Sequence, residues 1–78
     1  MYLYYFDVVR DGELISDEVG MSLPDIAAAR REATLTLSDL TKNAVRASGG
    51  FRRMSVLVRN AQGPMFEEYV EWDSSPVH

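Results

Sequence analysis

Cysteine is absent from the chain, and histidine occurs once, as His78. Without cysteine there are no disulfides and no thiolate metal ligands. With one histidine in a polar terminal stretch, nucleophile–imidazole pairs have no basis in the sequence. Cations are in the minority, eight Lys and Arg against twelve Asp and Glu, for a net charge of −4. That balance argues against nucleic acid as a partner, because phosphate binding needs clustered cations to release counterions. No apolar run approaches the roughly 20 residues of a membrane span. The aromatic start, Met1 to Phe6, lacks the basic lead and small-residue cleavage site of a signal peptide, so a cytoplasmic protein is expected. The five glycines stand at turns or at a helix stop and form no phosphate-cradling loop.

What the chain does contain is one long helical pattern flanked by strand patterns. Ile26, Ala29, Ala33, Leu37, Leu40, Ala44 and Ala47 fall in one stripe at about 100° per residue. Arg31, Asp39, Lys42 and Arg46 lie opposite, as a solvated face requires. The pattern predicts a helix within Ser22 to Gly50. Ser22 is the expected N-cap, Asp25 completes a capping box, and Met21 and Ile26 stand at staple spacing. Pro24 falls in the first turn, and Gly49 and Gly50 supply the positive φ of a helix stop. Leu35 projects away from the stripe and offers a small candidate contact.

Strand patterns account for the rest. Tyr2 to Arg10 alternates, with Tyr4, Phe6 and Val8 on one face and Leu3, Tyr5, Asp7 and Val9 on the other. Asp11-Gly12 signals a hairpin, returning through a short edge strand at Leu14 and Ile15. Arg53 to Asn60 alternates again, with Met54, Val56 and Val58 on its apolar face. After the turn at Ala61 to Pro64, Met65 to Trp72 places Phe66, Val70 and Trp72 in phase for the core. Glu68 shares that phase, a conflict that an edge position or a bulge would resolve. The expected fold is a two-layer α+β domain of ββαββ order over residues 1–73. One long helix covers one face of an antiparallel sheet of three to four strands, and 74–78 form a disordered tail. The two hairpins can join through either inner strand.

The opposite sheet face is more apolar than a wet face needs to be. Leu3, Tyr5, Val9, Leu57 and Tyr69 are the candidate interface residues, set among Asp7, Arg53, Arg59, Glu67 and Glu71. Cross-strand pairs between the two arginines and the two glutamates are expected. A second candidate is a polar corner of Arg10, Asp11, Asp17, Glu18 and Arg30, in which an arginine ties the acidic hairpin to the start of the helix. The acidic run lacks the spacing of a calcium loop, so no metal and no cofactor is expected. No residue group reads as catalytic.

Tyr4-Tyr5-Phe6, Arg10-Asp11-Gly12, Asp17-Glu18 with Gly20, and Leu23-Pro24-Asp25 with Ala29-Arg30 and Glu32-Ala33 occur here in that order. In this respect the chain resembles a family of short bacterial proteins known only as a domain of unknown function. The resemblance implies a single ββαββ domain and supplies no activity. The chain departs from that pattern at Asp7, where a histidine is common. The functional expectation is a non-enzymatic interaction or structural module that forms a homodimer through its open sheet face. The alternative is an antitoxin-like regulatory binder of a protein partner, by analogy of architecture with HicB-type domains.

Overall fold

The computed structural model describes residues 1–72; the expected tail, with Asp73 and His78, lies outside them. Strands β1 (Tyr2–Arg10), β2 (Glu13–Ile15) and β3 (Met21–Leu23) precede helix α1 (Ile26–Ser48), and β4 (Arg53–Asn60) and β5 (Gly63–Glu71) follow it. The sheet is antiparallel in the order β2-β1-β4-β5, with β3 also paired to β1. The hairpins therefore join through β1 and β4. The α+β fold of one helix on an antiparallel sheet is as expected, with one strand more.

That extra strand comes from the stretch expected to cap the helix. A residue before proline is pushed out of the helical region, so Leu23 is extended and the helix cannot begin at Ser22. Met21 to Leu23 instead pairs with Tyr4 to Tyr2. The N-cap is Asp25, whose carboxylate accepts from the Ala28 N–H at 2.8 Å. Pro24 thus precedes the cap, and with the cap at Asp25 the residues Met21 and Ile26 no longer stand at staple spacing. At the far end Gly49 closes α1 with φ 79° as expected, its N–H donating to the Val45 carbonyl.

The core lies between α1 and the sheet. Tyr4, Met54, Val56 and Val58 are buried against Ala29, Ala33, Leu37 and Ala44, and Phe51 closes the helix-exit end. Alanine at the contact lets the helix approach closely, and packing rather than side-chain volume secures the layer. Ile26 and Ala47, at the two ends of the expected stripe, are exposed. The helix packs chiefly on β4 and β5 and reaches β3 near its start. Trp72 is half exposed and tilts against Phe51 with ring centroids 6.3 Å apart, at the rim of the core rather than inside it.

Glu68 keeps the helix-facing phase, opposite Val56. The Thr34 hydroxyl on α1 donates to its carboxylate at 2.6 Å, which resolves the conflict. β5 does carry a register shift, between Val58 and Arg59, but it skips Met65 and leaves Glu68 in phase.

The cap assignment makes a test. Asp25→Ala removes the acceptor for an unpaired helix N–H and lowers stability by about 1 kcal/mol. In a domain this size that is a fall in Tm of roughly 4–8 °C. Ser22→Ala leaves the melting curve within about 0.5 kcal/mol of wild type. Thermal unfolding of both variants by circular dichroism checks the pair.

Candidate functional site

The sheet face opposite α1 is built by alternation along β1, β4 and β5, and two arginines from β4 organise it. Arg53 lies over the Tyr69 ring, 4.0 Å from its centroid, and its nitrogens reach Glu71 at 2.7 Å and Glu67 at 3.2 Å. Both expected pairs are therefore made by Arg53. Arg59 instead lies over Tyr5 at 4.4 Å, and its Nε donates to Asp7 at 2.8 Å. Each guanidinium thus covers an aromatic ring while its charge is matched by carboxylate.

Asp7 is buried, with 5% of its surface exposed, on a face that otherwise meets solvent. It needs its partners for that reason. Besides Arg59, its Oδ1 accepts the Asp17 N–H at 2.8 Å. Arg59 also donates to the Asp17 carbonyl oxygen at 2.8 Å. Asp17 completes the network from the gap between β2 and β3. Its Oδ2 accepts the Phe6 N–H at 3.1 Å, where no strand is available to pair with β1. Its Oδ1 accepts the Val19 and Gly20 N–H groups at 3.0 and 3.1 Å. One carboxylate oxygen thus takes the place of a missing rung of the ladder, while the other ties down its own segment.

Gly20 lets this segment lie against β1. Its φ is +79°, and a Cβ there would stand 2.9 Å from Leu3 Cδ1 and 3.2 Å from the Tyr4 carbonyl oxygen. Both counts restrict the position to glycine.

Burial alone would raise the Asp7 carboxyl, but the Arg59 guanidinium and the Asp17 N–H outweigh it and hold the pKa below the ordinary value. Asp17 follows the same logic: burial raises it, and the N–H groups of Phe6, Gly20 and Val19 bring it below. Asp7 in turn raises Arg59.

The polar corner expected from the sequence does not come together. Asp11, at φ 48° with Gly12 at φ 85°, forms the hairpin turn. Its carboxylate accepts the Arg52 and Arg53 N–H groups at 2.8 and 2.9 Å, which lower its pKa. Arg10 donates to the Gly50 carbonyl at 3.3 Å, so it serves the helix exit rather than its start. Arg30 lies over Phe66 at 4.6 Å on the helix side, Glu18 is exposed, and Asp17 belongs to the Asp7–Arg59 network. The corner dissolves because alternation and the hairpin send these side chains to different faces and ends.

The five interface candidates do share the open face. Leu3 and Tyr69 are exposed, while Tyr5, Val9 and Leu57 are half-buried. Sequence reasoning missed Asp7 and Asp17 as one unit with Arg59. The available signal was an acidic residue in the middle of an aromatic strand, with an oppositely charged residue in a second strand. Among the described residues, no group of three or more His, Asp or Glu side chains is arranged to hold a metal ion, and no helix is long and apolar enough to cross a membrane.

Fold and face together define a small two-layer α+β module with an arginine-clasped open sheet. The chain belongs to the DUF6894 family, a domain of unknown function, which it matches over residues 3–67. No curated protein and no solved structure matches it.

The network predicts acid lability with a definite sign. Asp7 and Asp17 have folded-state pKa values below the unfolded reference, near 3.9. Their contribution is fully present above that value and is lost as pH falls through the depressed folded values. Stability is therefore flat in these groups from neutral pH to about 5 and falls below about 4. Asp7→Ala costs about 1–3 kcal/mol at neutral pH, since the Asp17 N–H and Arg59 lose their acceptor, and its stability falls less steeply in acid. Urea unfolding at a series of pH values measures both.

Proposed function

We propose that this protein is a non-enzymatic interaction module that associates with a second copy of itself through the open sheet face. The observation that carries the reading is Tyr69, 56% exposed near the end of β5 with a guanidinium already held over its ring. Tyrosine and arginine are the residues that dominate interface energetics, and rigid, prepaired ones lose little entropy on docking. Glu67 and Glu71 neutralise Arg53, and Asp7 neutralises Arg59, so covering the face strands no lone charge. Exposed Leu3 and Met65 add apolar area on the same face. The reading also assigns the protein to the cytoplasm of a bacterium, on the family resemblance and the composition.

Tyr69 is the probe of choice, because its exposure in one copy lets the fold survive substitution. Leu3 and Tyr5 are poorer ones, since both side chains pack beside Gly20. Light scattering on a sizing column should give a dimer at high concentration that dissociates on dilution. Tyr69→Glu should raise the dissociation constant by about thirtyfold or more, the roughly 2 kcal/mol of a hot spot. A wild type that stays monomeric, or a Tyr69→Glu variant that dimerises equally well, rejects the reading.

A further inference from the structure

The two flanks of α1 meet the sheet differently. On one side Arg30 lies over Phe66 and Thr34 bonds Glu68, so that flank is closed against β5. On the other side the helix-facing residues of β1 and β2 reach beyond its cover. By alternation these are Phe6, Val8 and Arg10 of β1, with Ile15 opposite Val8 and Glu13 opposite Arg10. Phe6 and Val8 are half-buried, and Ile15 is 60% exposed. Arg10 and Glu13 are opposite in sign, which leaves an apolar floor of Phe6, Val8 and Ile15. The space suits a second helix. Neighbouring strands stand about 4.8 Å apart, so β2, β1, β4 and β5 span about 14 Å from first to last. With α1 on β4 and β5, another helix fits beside it at the usual spacing of about 8–10 Å.

The wall of this shelf sets the chemistry of its occupant. With Arg30 and Thr34 turned to β5, the helical repeat turns Glu32, Thr36, Asp39 and Asn43 to the β1 side. Glu32 and Asp39 stand on one stripe, two turns or about 10.5 Å apart along the axis. Among the described residues neither makes an ion pair. Arg46 ends that stripe in the last turn of α1, and Arg31 and Lys42 lie further round, on the outer side of the helix. A second copy's α1, turned the same way, would set carboxylate against carboxylate, which disfavours self-association at this shelf.

We infer that the helix side of β1 and β2 is a docking site for an amphipathic helix of another protein, one with an apolar face and two cations seven residues apart on one flank. That helix lies beside α1. Its apolar face covers Phe6, Val8 and Ile15, and its cations face Glu32 and Asp39. The shelf is on the opposite side of the sheet from Tyr69, so a partner and a second copy can be held together.

The test uses isotope-labelled full-length protein and two blocked synthetic helices of about three heptads. Both carry leucine on one face and alanine elsewhere, with either lysine or glutamate at one flank position of each heptad. The expected result is that the lysine helix shifts the Val8 and Ile15 methyl resonances, less so as salt is added, while the glutamate helix shifts neither. Glu32→Lys with Asp39→Lys should weaken binding by about tenfold or more. Ile15→Lys, at an exposed position, should abolish it. Leu14→Lys, one residue away on the opposite sheet face, should leave it unchanged; circular dichroism checks the fold of both. Tyr69→Glu should also leave it unchanged, which separates this result from the fate of the dimer. The inference is overturned if neither helix binds, if both bind alike, or if Ile15→Lys binds as wild type does. It is equally overturned if the shifts fall on Leu57 and Tyr69, or if Val8 and Ile15 respond to protein concentration alone.

Discussion

The constraint on which the structure turns is the incomplete strand opposite β1. Glu13–Ile15 pairs with one end of β1 and Met21–Leu23 with the other, leaving the middle of a nine-residue strand without a neighbour on that side. Asp17 repairs the gap with its side chain, and Asp7 and Arg59 fix Asp17. The same contacts hold the loop against β1, bury Asp7 and place Arg59 over Tyr5. A buried carboxylate in a sheet face is costly alone and stable here because every acceptor position has a donor.

The helix sets the other asymmetry. A single helix about 10 Å wide covers roughly two strands spaced 4.8 Å apart, and α1 lies on β4 and β5. Its alanine stripe brings it close enough to bury Met54, Val56 and Val58 completely. The outer strands are left with less cover, so Leu14 and Ile15 remain in solvent. A domain of this size buries a smaller share of its surface than a larger one does in any case. The exposed apolar area is therefore a consequence of one helix serving a five-stranded sheet.

The two uncovered surfaces differ in chemistry for a structural reason. On the open face the arginines of β4 stand within reach of carboxylates from β1 and β5, so charge is balanced inside the face. Along β2 and β3 Asp17 is held by backbone N–H groups beside Arg59, and Glu13 and Glu18 stand exposed. Balanced charge suits a self-complementary surface.

Much of this was legible in order along the chain. Alternation in Tyr2 to Arg10 and Arg53 to Asn60 assigned each residue to its face, the 3.6-residue stripe placed the helix, and Asp11-Gly12 and Gly49 marked a turn and a stop. Those features depend on the geometry of neighbouring residues, so the residues themselves determine them. The Ser22–Asp25 capping pattern points to a helix start three residues before the actual cap, because Pro24 holds Leu23 extended. Strand order, the pairing of Arg59 with Asp7, and the splice by Asp17 were decided only by the tertiary structure. Arg59 and Asp7 are 52 residues apart, and Asp17 meets Asp7 across ten. No local periodicity connects such groups; they meet because β1 and β4 become neighbours, and burial then obliges each charge to find its partner.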